Sequence, residues 1–261
     1  MIDVARSLAR KSREAYAQHG LTGLIKAGTG YLSRPLALPL ATRTLRRSTR
    51  EKTSIDDAIR FVFEFKSGSI SIAPMQVHSE IKALCQALQE LRPATIVEIG
   101  TARGGSLYLF ARMAAADARL ISVDLPFGRF GGGYPAWRKR LYQAFAGPSQ
   151  SLALLRADSH DAGTVKQVTG LCKGQPVDFL FIDGDHSYSG VQADFEAYSP
   201  LVRPGGLIGF HDIVPGVERD TGGVPQFWQD LKRSGRVRGQ FHEFVESWNQ
   251  RGFGIGLIRL S

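Results

Sequence analysis

The pattern of residues 96–124 predicts a strand, a glycine-rich turn, a helix and a second strand. This βαβ arrangement is typical of an open parallel sheet. The turn after the first strand reads Gly-Thr-Ala-Arg-Gly-Gly-Ser, and the second strand ends at Asp124. Glycines at such a turn let the backbone approach a ligand, and an acid at the tip of the second strand can accept both hydroxyls of a ribose. The segment therefore predicts a Rossmann-like sheet that holds an adenosine-containing cofactor.

The rest of the chain continues the alternation of strands and helices, which indicates parallel pairing with both sheet faces covered. Before residue 96, Ser54 and the apolar spacing of 76–91 each predict a helix. The predicted strands are 95–99, 119–124, 151–157, 177–183 and 205–211, and the predicted helices are 105–116, 134–146, 161–172, 187–201 and 223–234. Phe241–Trp248 and Phe253–Leu260 predict a closing antiparallel hairpin. The predicted fold class is therefore α/β, a doubly wound, mostly parallel sheet with a C-terminal antiparallel hairpin.

The positive charge of the chain is concentrated at its amino terminus. Residues 1–52 hold 11 Lys/Arg against 3 Asp/Glu, whereas the remaining 209 residues hold 22 against 21. We therefore predict a basic helical arm over 1–52, with a first helix at 3–18, and a nearly neutral domain over 53–261. The arm is interpreted as an extension that packs on the domain edge or on a second subunit, with a cationic surface for anionic lipid as the alternative. Nucleic-acid contact is disfavoured because the charge is confined to the arm.

Two features of the sequence bear on the cellular location of the protein. Cys85 and Cys172 lie in apolar helical patterns without a C-x-x-C spacing, which indicates reduced thiols. Residues 1–10 lack the apolar core of a signal peptide, and no stretch approaches the roughly 20 apolar residues that span a bilayer. We expect a cytoplasmic protein, with membrane association only through the arm.

The glycine turn also indicates which cofactor it holds. The spacing Glu98-x-Gly100-x-x-x-Gly104-Gly105-Ser106 departs from G-x-G-x-x-G, and Glu98 would repel the pyrophosphate of a dinucleotide. A ligand with a cationic amino-acid end would be attracted instead, and S-adenosylmethionine is such a ligand. Asp124 would take its ribose, and Asp158 with Ser159 would lie beside its adenine.

Acids and histidines follow the two later strands. Asp183, Asp185 and His186 come after the apolar strand 177–181, and His211 with Asp212 comes after 207–210. Carboxylates that converge on one crevice repel each other unless a cation lies between them. A divalent ion bound by carboxylates, with substrate oxygens completing its coordination, is one solution. The alternative is that Asp183 and Asp212 only cap turns and that no metal binds.

The runs V-E-I-G-T-x-x-G-G-S, F-I-D-G-D-H-S-Y and P-G-G-L-I-G-F-H-D, in this order, resemble class I S-adenosylmethionine-dependent methyltransferases over about residues 70–260. The resemblance is closest to the metal-dependent O-methyltransferases, including cephalosporin hydroxylase-like proteins and macrocin O-methyltransferase. It implies Asp183, His211 and Asp212 as metal ligands and His186 as the general base. It also implies Mg²⁺ or Mn²⁺ as the metal and a hydroxyl of a sugar, glycolipid or natural product as the acceptor. His211 departs from the oxygen ligand usual there, and an imidazole suits iron or zinc better.

The sequence thus predicts a metal-assisted O-methyltransferase with a small-molecule or glycan acceptor, in a chain that is a candidate homo-oligomer. The expected cofactor-binding residues are Glu98, Gly100, Thr101, Gly104, Gly105, Ser106, Asp124, Asp158 and Ser159. Three alternatives stay open: an RNA or protein acceptor, a non-catalytic protein on the same fold, and a nicotinamide oxidoreductase. We also expect 127–133 and 214–223 to be lid loops, His160 to cap a helix, and Tyr188 to be a candidate for lining the acceptor pocket. Trp228 is expected in the core.

Overall fold

The computed structural model describes residues 35–126 and 133–261 and places a seven-stranded sheet at the centre of the chain. Its strands are β3 (Thr95–Ile99), β4 (Arg119–Val123), β5 (Ser151–Leu155), β6 (Val177–Ile182), β7 (Val202–His211), β8 (Gly239–Phe244) and β9 (Ile255–Leu260). A separate small hairpin pairs β1 (Lys66–Ser67) with β2 (Ile70–Ser71). The helices are α1 (35–48 in its described part), α2 (Ile55–Glu64), α3 (His78–Leu91), α4 (Gly105–Met113), α5 (Arg138–Tyr142), α6 (Ala162–Leu171), α7 (Tyr188–Tyr198), α8 (Glu218–Thr221) and α9 (Val224–Ser234).

The strand order of the sheet is β5-β4-β3-β6-β7-β9-β8. The first five strands of this order pair in parallel, and β9 pairs antiparallel with both β7 and β8. From β3 the chain runs outward through β4 and β5, then crosses back to β6 on the other side of β3. The point of reversal lies between the carboxyl ends of β3 and β6, where open α/β sheets bind their ligands. The predicted fold class and C-terminal hairpin are confirmed.

Helices cover both sheet faces because the inner strands are apolar on both sides. On one face, alternate strand residues such as Ile96 and Phe179 pack with α1 to α5. On the other, Val97 and Leu180 pack with α6, α7 and α9. All five residues of β3 are buried, so a polar side chain within it lies inside the protein.

The described end of the basic arm is the helix α1. Ala37, Ala41 and Leu45 recur on one side of it and are buried in the same core as α2 to α5. The predicted helix at 3–18 lies outside the described residues, and the division at residue 52 stays a prediction. Among the described residues, no helix is both long and apolar enough to cross a bilayer.

The predicted element boundaries differ most at two places. The helix expected over 134–146 is shortened to Arg138–Tyr142, because Tyr134 and Pro135 belong to an irregular segment that leads from the site. The hairpin strands are also shorter than predicted, because 245–254 forms bends and turns that reach back to α3. In that segment the backbone N–H groups of Glu246 and Gly254 donate to the buried Glu80 carboxylate at 3.1 and 2.9 Å.

Candidate active site

Two adjoining cavities open at the carboxyl ends of β3 and β6. The larger, of about 570 Å³, is bounded by the glycine turn, by the acids and histidines that follow β6 and β7, and by residues 251–253. The smaller, of about 180 Å³, is lined by residues at or after the ends of β3, β4, β5 and β6. Gly100, Ala102 and Asp183 line both cavities, so a single elongated ligand can extend from one into the other.

The glycine turn is held close to the end of β6. Gly100 has φ +87°, and a Cβ atom on it would lie 1.8 Å from the carbonyl oxygen of Asp183. The N–H of Asp183 donates to the carbonyl of Ile99 at 2.8 Å. Only glycine allows this approach, because any side chain would collide with the neighbouring backbone. The turn therefore brings the run V-E-I-G-T-x-x-G-G-S against the run F-I-D-G-D-H-S-Y at the end of β6.

Glu98 lies beneath the glycine turn and does not line either cavity, and its expected contact with the cofactor stays a prediction. Its side chain is fully buried, and it accepts hydrogen bonds from Ser106 Oγ at 2.7 Å and Thr101 Oγ1 at 2.9 Å. Burial raises the pKa of Glu98 to about 8, although these two hydroxyls lower it in part. Glu98 lies there because it belongs to a strand that is buried on both faces. Thr101 and Ser106, which it holds, do line the larger cavity.

Asp124 lies at the tip of β4 and lines the smaller cavity together with Asp158 and Ser159. Its Oδ2 accepts the N–H groups of Ala102 at 3.0 Å and Tyr134 at 3.2 Å. Burial raises the pKa of Asp124 to about 6, against the opposing effect of these backbone donors. The structure thus brings together the three acidic and hydroxyl residues that were expected beside the adenosine.

Two carboxylates and two imidazoles converge in the larger cavity. Asp183 Oδ1 lies 3.2 Å from His211 Nδ1 and 3.4 Å from His186 Nε2. Asp212 Oδ2 lies 3.3 Å from His211 Nδ1 and 3.4 Å from His186 Nδ1. Ligand atoms of Asp183, His186 and Asp212 all lie within 4.8 Å of one another, an arrangement that could hold a metal ion. His186, expected as the base, is thus as close to the carboxylates as His211, expected as a ligand.

The charges of this cluster are strongly coupled. Burial would raise the pKa of Asp183, but His211 and His186 outweigh it and hold that pKa well below its ordinary value. Burial would lower the pKa of His186, but Asp183 and Asp212 outweigh it and raise that pKa to about 9. The same carboxylates raise the pKa of His211 despite its burial. The two carboxylates therefore favour the protonated forms of both imidazoles.

The tautomer of His186 follows from its hydrogen bonds. Its Nδ1 contacts the backbone carbonyl of Asp220. A carbonyl can only accept, so Nδ1 carries a hydrogen and the lone pair of neutral His186 is on Nε2. Asp220 belongs to the predicted lid loop 214–223, which contains α8, and the N–H of Gly223 donates to the His186 carbonyl at 2.7 Å. The other predicted lid loop lies mostly outside the described residues.

Two buried polar atoms at the cluster lack a hydrogen-bond partner within the described structure: His211 Nε2 and Gln76 Oε1. Both residues line the larger cavity. The Nε2 of Gln76 donates to Asp183 Oδ2 at 3.1 Å. Buried polar atoms without a partner are rare, and they indicate a site for a polar ligand or ion. The donor set of two carboxylates and two imidazoles fits a divalent cation. No sequence motif pointed to Gln76, which lies two positions before the first residue of α3.

Comparison with known proteins fits this geometry. A family profile described as "Methyltransferase domain" matches residues 97–213, the span from β3 to the site residues after β7. Residues 97–213 are therefore similar to a methyltransferase domain. The match confirms the resemblance to methyltransferases that was inferred from the sequence.

Two curated relatives match part of the chain. An uncharacterized protein of Sinorhizobium fredii is 31% identical over 148 residues, which are 54% of this chain and 15% of that protein. An uncharacterized protein of Acanthamoeba polyphaga mimivirus is 35% identical over 118 residues, which are 45% of this chain and 51% of that protein. The chain thus spans about half or less of the length of the curated relatives it matches.

Solved structures share the fold of residues 97–213 and of the elements that flank them. The O-methyltransferase from Bacillus cereus, in complex with SAH, is 19% identical with a TM-score of 0.52, over 78% of this chain and 90% of that one. TomG from Streptomyces achromogenes, in complex with SAM, is 18% identical with a TM-score of 0.52, over 81% and 91%. MycE, in complex with Mg and SAH, is 16% identical with a TM-score of 0.55, over 81% and 55%.

A backbone feature at the end of β7 orients two residues of the candidate site. Asp212 has φ +61°, an uncommon conformation for a residue other than glycine. The bend ends β7 after His211, so consecutive side chains both face the cavity. Asp212 Oδ1 accepts the N–H of Phe253 at 3.1 Å, while Oδ2 faces the histidines. Strain of this kind concentrates at functional sites.

Three further residues were assigned a role from the sequence. Tyr188 does not line the larger cavity, because its ring packs on Phe227 of α9. His160 does not cap α6, because the Asp161 carboxylate accepts the N–H of Thr164 and takes that position. Trp228 is fully buried, as expected for a core residue.

Proposed function

We propose that the chain is an S-adenosylmethionine-dependent O-methyltransferase whose acceptor hydroxyl binds beside Asp183, His186, His211 and Asp212. The observation that carries the proposal is that Asp183 lines both cavities. An adenosine placed at Asp124 in the smaller cavity would extend past the glycine turn toward His186 in the larger one. The transferred methyl group would then be delivered where the titratable groups converge.

The sulfonium of S-adenosylmethionine, when bound, supplies a methyl group that is already activated. The task left to the protein is to align the acceptor oxygen and to remove its proton. His186 is suited to removing the proton, because the Asp220 carbonyl holds Nδ1–H and leaves Nε2 as the basic atom. Thr101 and Ser106 would position the amino-acid end of the cofactor, with buried Glu98 orienting their hydroxyls.

We also propose that the site binds a divalent metal through Asp183, Asp212 and His211. Such an ion would lower the pKa of an acceptor hydroxyl. It would also neutralise the two carboxylates that now hold a proton on His186, so that Nε2 becomes free to accept one. The imidazole favours iron or zinc over Mg²⁺ by ligand preference, whereas MycE was solved with Mg.

For the acceptor, we propose a hydroxyl on a sugar, glycolipid or other natural product. MycE was solved with mycinamycin VI, which shows that this fold can accept a natural-product substrate. In this chain, Met75 and Phe253 line the larger cavity and are 48% and 39% exposed. Arg103 and Arg251 line it as well and are exposed. The cavity therefore offers both apolar and cationic contacts to a polar acceptor.

The function is tested in two steps. Calorimetry should detect S-adenosylmethionine binding to the purified chain, and Asp124→Asn should weaken it. No binding would favour a non-catalytic protein on this fold. With an acceptor found by screening glycosylated compounds, excess EDTA should abolish turnover and a divalent metal should restore it. Full activity in EDTA would remove the metal from the proposal.

His186 is tested separately from the metal ligands. His186→Ala should reduce turnover about 10²- to 10⁴-fold, the usual contribution of a general base, while leaving metal content and cofactor affinity near those of the unmodified chain. Asp183→Asn should lose the metal. If His186→Ala loses the metal to the same extent, His186 is a ligand and not the base.

A further inference from the structure

A groove between α1 and α5 is lined by a cluster of arginines on the outside of the domain. Arg43, Arg46 and Arg47 lie on α1, Arg50 lies in the turn that follows it, and Arg140 lies on α5. The groove has a volume of about 840 Å³, and none of its lining residues is acidic. Among the described residues, Arg47 of this cluster forms an ion pair with Glu51, with 3.2 Å between their exposed side chains. The cluster thus keeps most of its positive charge.

The helix α1 divides into two faces. Ala37, Ala41 and Leu45 form the buried face at helical spacing. On the opposite face, Leu36 and Leu40 are 84% and 62% exposed and continue into Arg43 and Arg47 at the spacing i, i+4, i+7, i+11. Leucines this exposed are unfavourable in water. A helix that presents leucines and arginines together on its outer face is typical of a surface that lies in a membrane interface.

We propose that the outer face of α1 and the arginine groove form a binding surface for an anionic membrane. The guanidinium groups of Arg43, Arg46, Arg47, Arg50 and Arg140 bind lipid phosphates, for which their planar donor geometry is suited. Leu36 and Leu40 enter the boundary between headgroups and acyl chains. A soluble phosphate ligand or a nucleic acid would use the arginines alone, so the exposed leucines favour the lipid surface over both. This proposal does not depend on the methyltransferase activity.

The surface lies apart from the candidate active site. None of the residues that line the arginine groove lines either of the two cavities at the carboxyl ends of the strands. The two regions are linked through α5, where Arg138 donates to the carbonyl of Arg103 at 3.2 Å and Tyr142 Oη donates to the carbonyl of Ala102 at 2.7 Å. A membrane bound at α1 would thus hold the domain without occupying the cofactor site.

The test is co-sedimentation of the full chain with vesicles of phosphatidylcholine alone or with 30% phosphatidylglycerol, about a third anionic lipid as in an acidic membrane surface. We expect binding to the anionic vesicles only. The triple variant Arg43→Gln, Arg46→Gln, Arg50→Gln should lose roughly fivefold in affinity per arginine, or about a hundredfold in total. The matched control Arg233→Gln, Arg236→Gln, Arg238→Gln removes three exposed arginines at the end of α9. It should bind nearly as well as the unmodified chain.

A second pair of variants tests the apolar part of the surface. Leu36→Ser with Leu40→Ser should weaken vesicle binding severalfold and leave binding of inorganic phosphate and of unfractionated RNA unchanged. Thermal unfolding should show that both α1 variants remain folded. The proposal is overturned if anionic vesicles do not bind, or if both triple variants lose affinity equally. It is also overturned if the leucine variant binds like the unmodified chain, if RNA binds more tightly than vesicles, or if the leucines instead change only the oligomeric state.

Discussion

The side-chain amide of Gln76 donates from Nε2 to Asp183 Oδ2 at 3.1 Å, across 107 positions of sequence. The bond turns Asp183 so that its other oxygen, Oδ1, faces His211 and His186. Gln76 is therefore a positioning residue for the carboxylate on which the proposed metal site depends.

Gln76→Ala should lower metal affinity or turnover by about 10- to 100-fold, the usual cost of removing a partner of a metal-binding carboxylate. Cofactor affinity should stay unchanged, because Asp124 and the glycine turn are untouched. Metal titration and steady-state kinetics measure the two effects. Gln86→Ala, an exposed glutamine on α3, is the matched control. Equal effects of the two variants would contradict the assignment.

Cofactor affinity should depend on pH through Glu98. Burial raises the pKa of Glu98 to about 8, so the side chain is mostly protonated in the free protein at neutral pH. A cationic ligand favours the ionised form, so affinity for S-adenosylmethionine should increase as the pH rises toward 8. A decrease of one pKa unit on binding corresponds to a change of about tenfold. Calorimetry between pH 6 and 9 measures it.

Glu98→Gln is the control, because glutamine keeps the hydrogen-bonding shape without the titration. The ligand's own amino group titrates equally in both proteins, so only their difference reports Glu98. The affinities of the unmodified chain and of Glu98→Gln for S-adenosylmethionine should diverge as the pH changes. Parallel pH profiles would mean that Glu98 does not sense the cofactor.

Stability should depend on pH through a second pair, His160 and Asp194. Asp194 is fully buried, and its Oδ1 lies 3.4 Å from His160 Nε2. Asp194 raises the pKa of His160 to about 9, against the opposing effect of burial. A folded-state pKa above the unfolded value of about 6.5 stabilises the protein below pH 6.5, and the contribution disappears as the pH rises to 9.

His160→Gln should therefore reduce the free energy of unfolding more at pH 6 than at pH 9.5. The difference should be on the order of 1 kcal/mol, because the imidazole is 31% exposed and solvent weakens the pair. Urea denaturation at the two pH values measures it. A pH-independent loss would indicate that His160 acts through packing alone.

The identity of the metal should depend on His211. His211→Asp replaces an imidazole by an oxygen ligand, so it should shift the preference from zinc or iron toward Mg²⁺ and Mn²⁺. Metal analysis after dialysis against equimolar mixtures, together with thermal shifts for each ion, measures the preference. Retention of the same preference would show that His211 does not coordinate the ion.

Much of the fold was predictable from the sequence because its signals are local. Apolar strands with intervening amphipathic helices give the parallel order, and a glycine turn followed by an acid marks the cofactor end of the sheet. The positions of Asp124, Asp158 and Ser159 beside one cavity follow from this pattern, since parallel strands end at the same edge. The burial of Trp228 likewise follows from the spacing of apolar residues on α9.

Other features depend on contacts between distant segments. The sequence motif contained Glu98, but only the burial of β3 on both faces places its carboxylate beneath the turn and outside the lining of both cavities. Gln76 belongs to no sequence motif. It can position Asp183 because the segment before α3 lies next to the end of β6. In the sequence, His160 resembles a capping residue. In the structure, its side chain lies next to the buried Asp194 of α7.

The amino-acid sequence alone thus determined the α/β class, the cofactor end of the sheet and the residue types of the candidate site, because each is encoded over a few neighbouring positions. Only the tertiary structure decided which of those side chains face a ligand. It also decided which histidines share the carboxylates, and that the end of the basic arm packs on the domain with its leucines and arginines outward. The physical reason is that burial and charge coupling depend on distances between segments far apart in sequence.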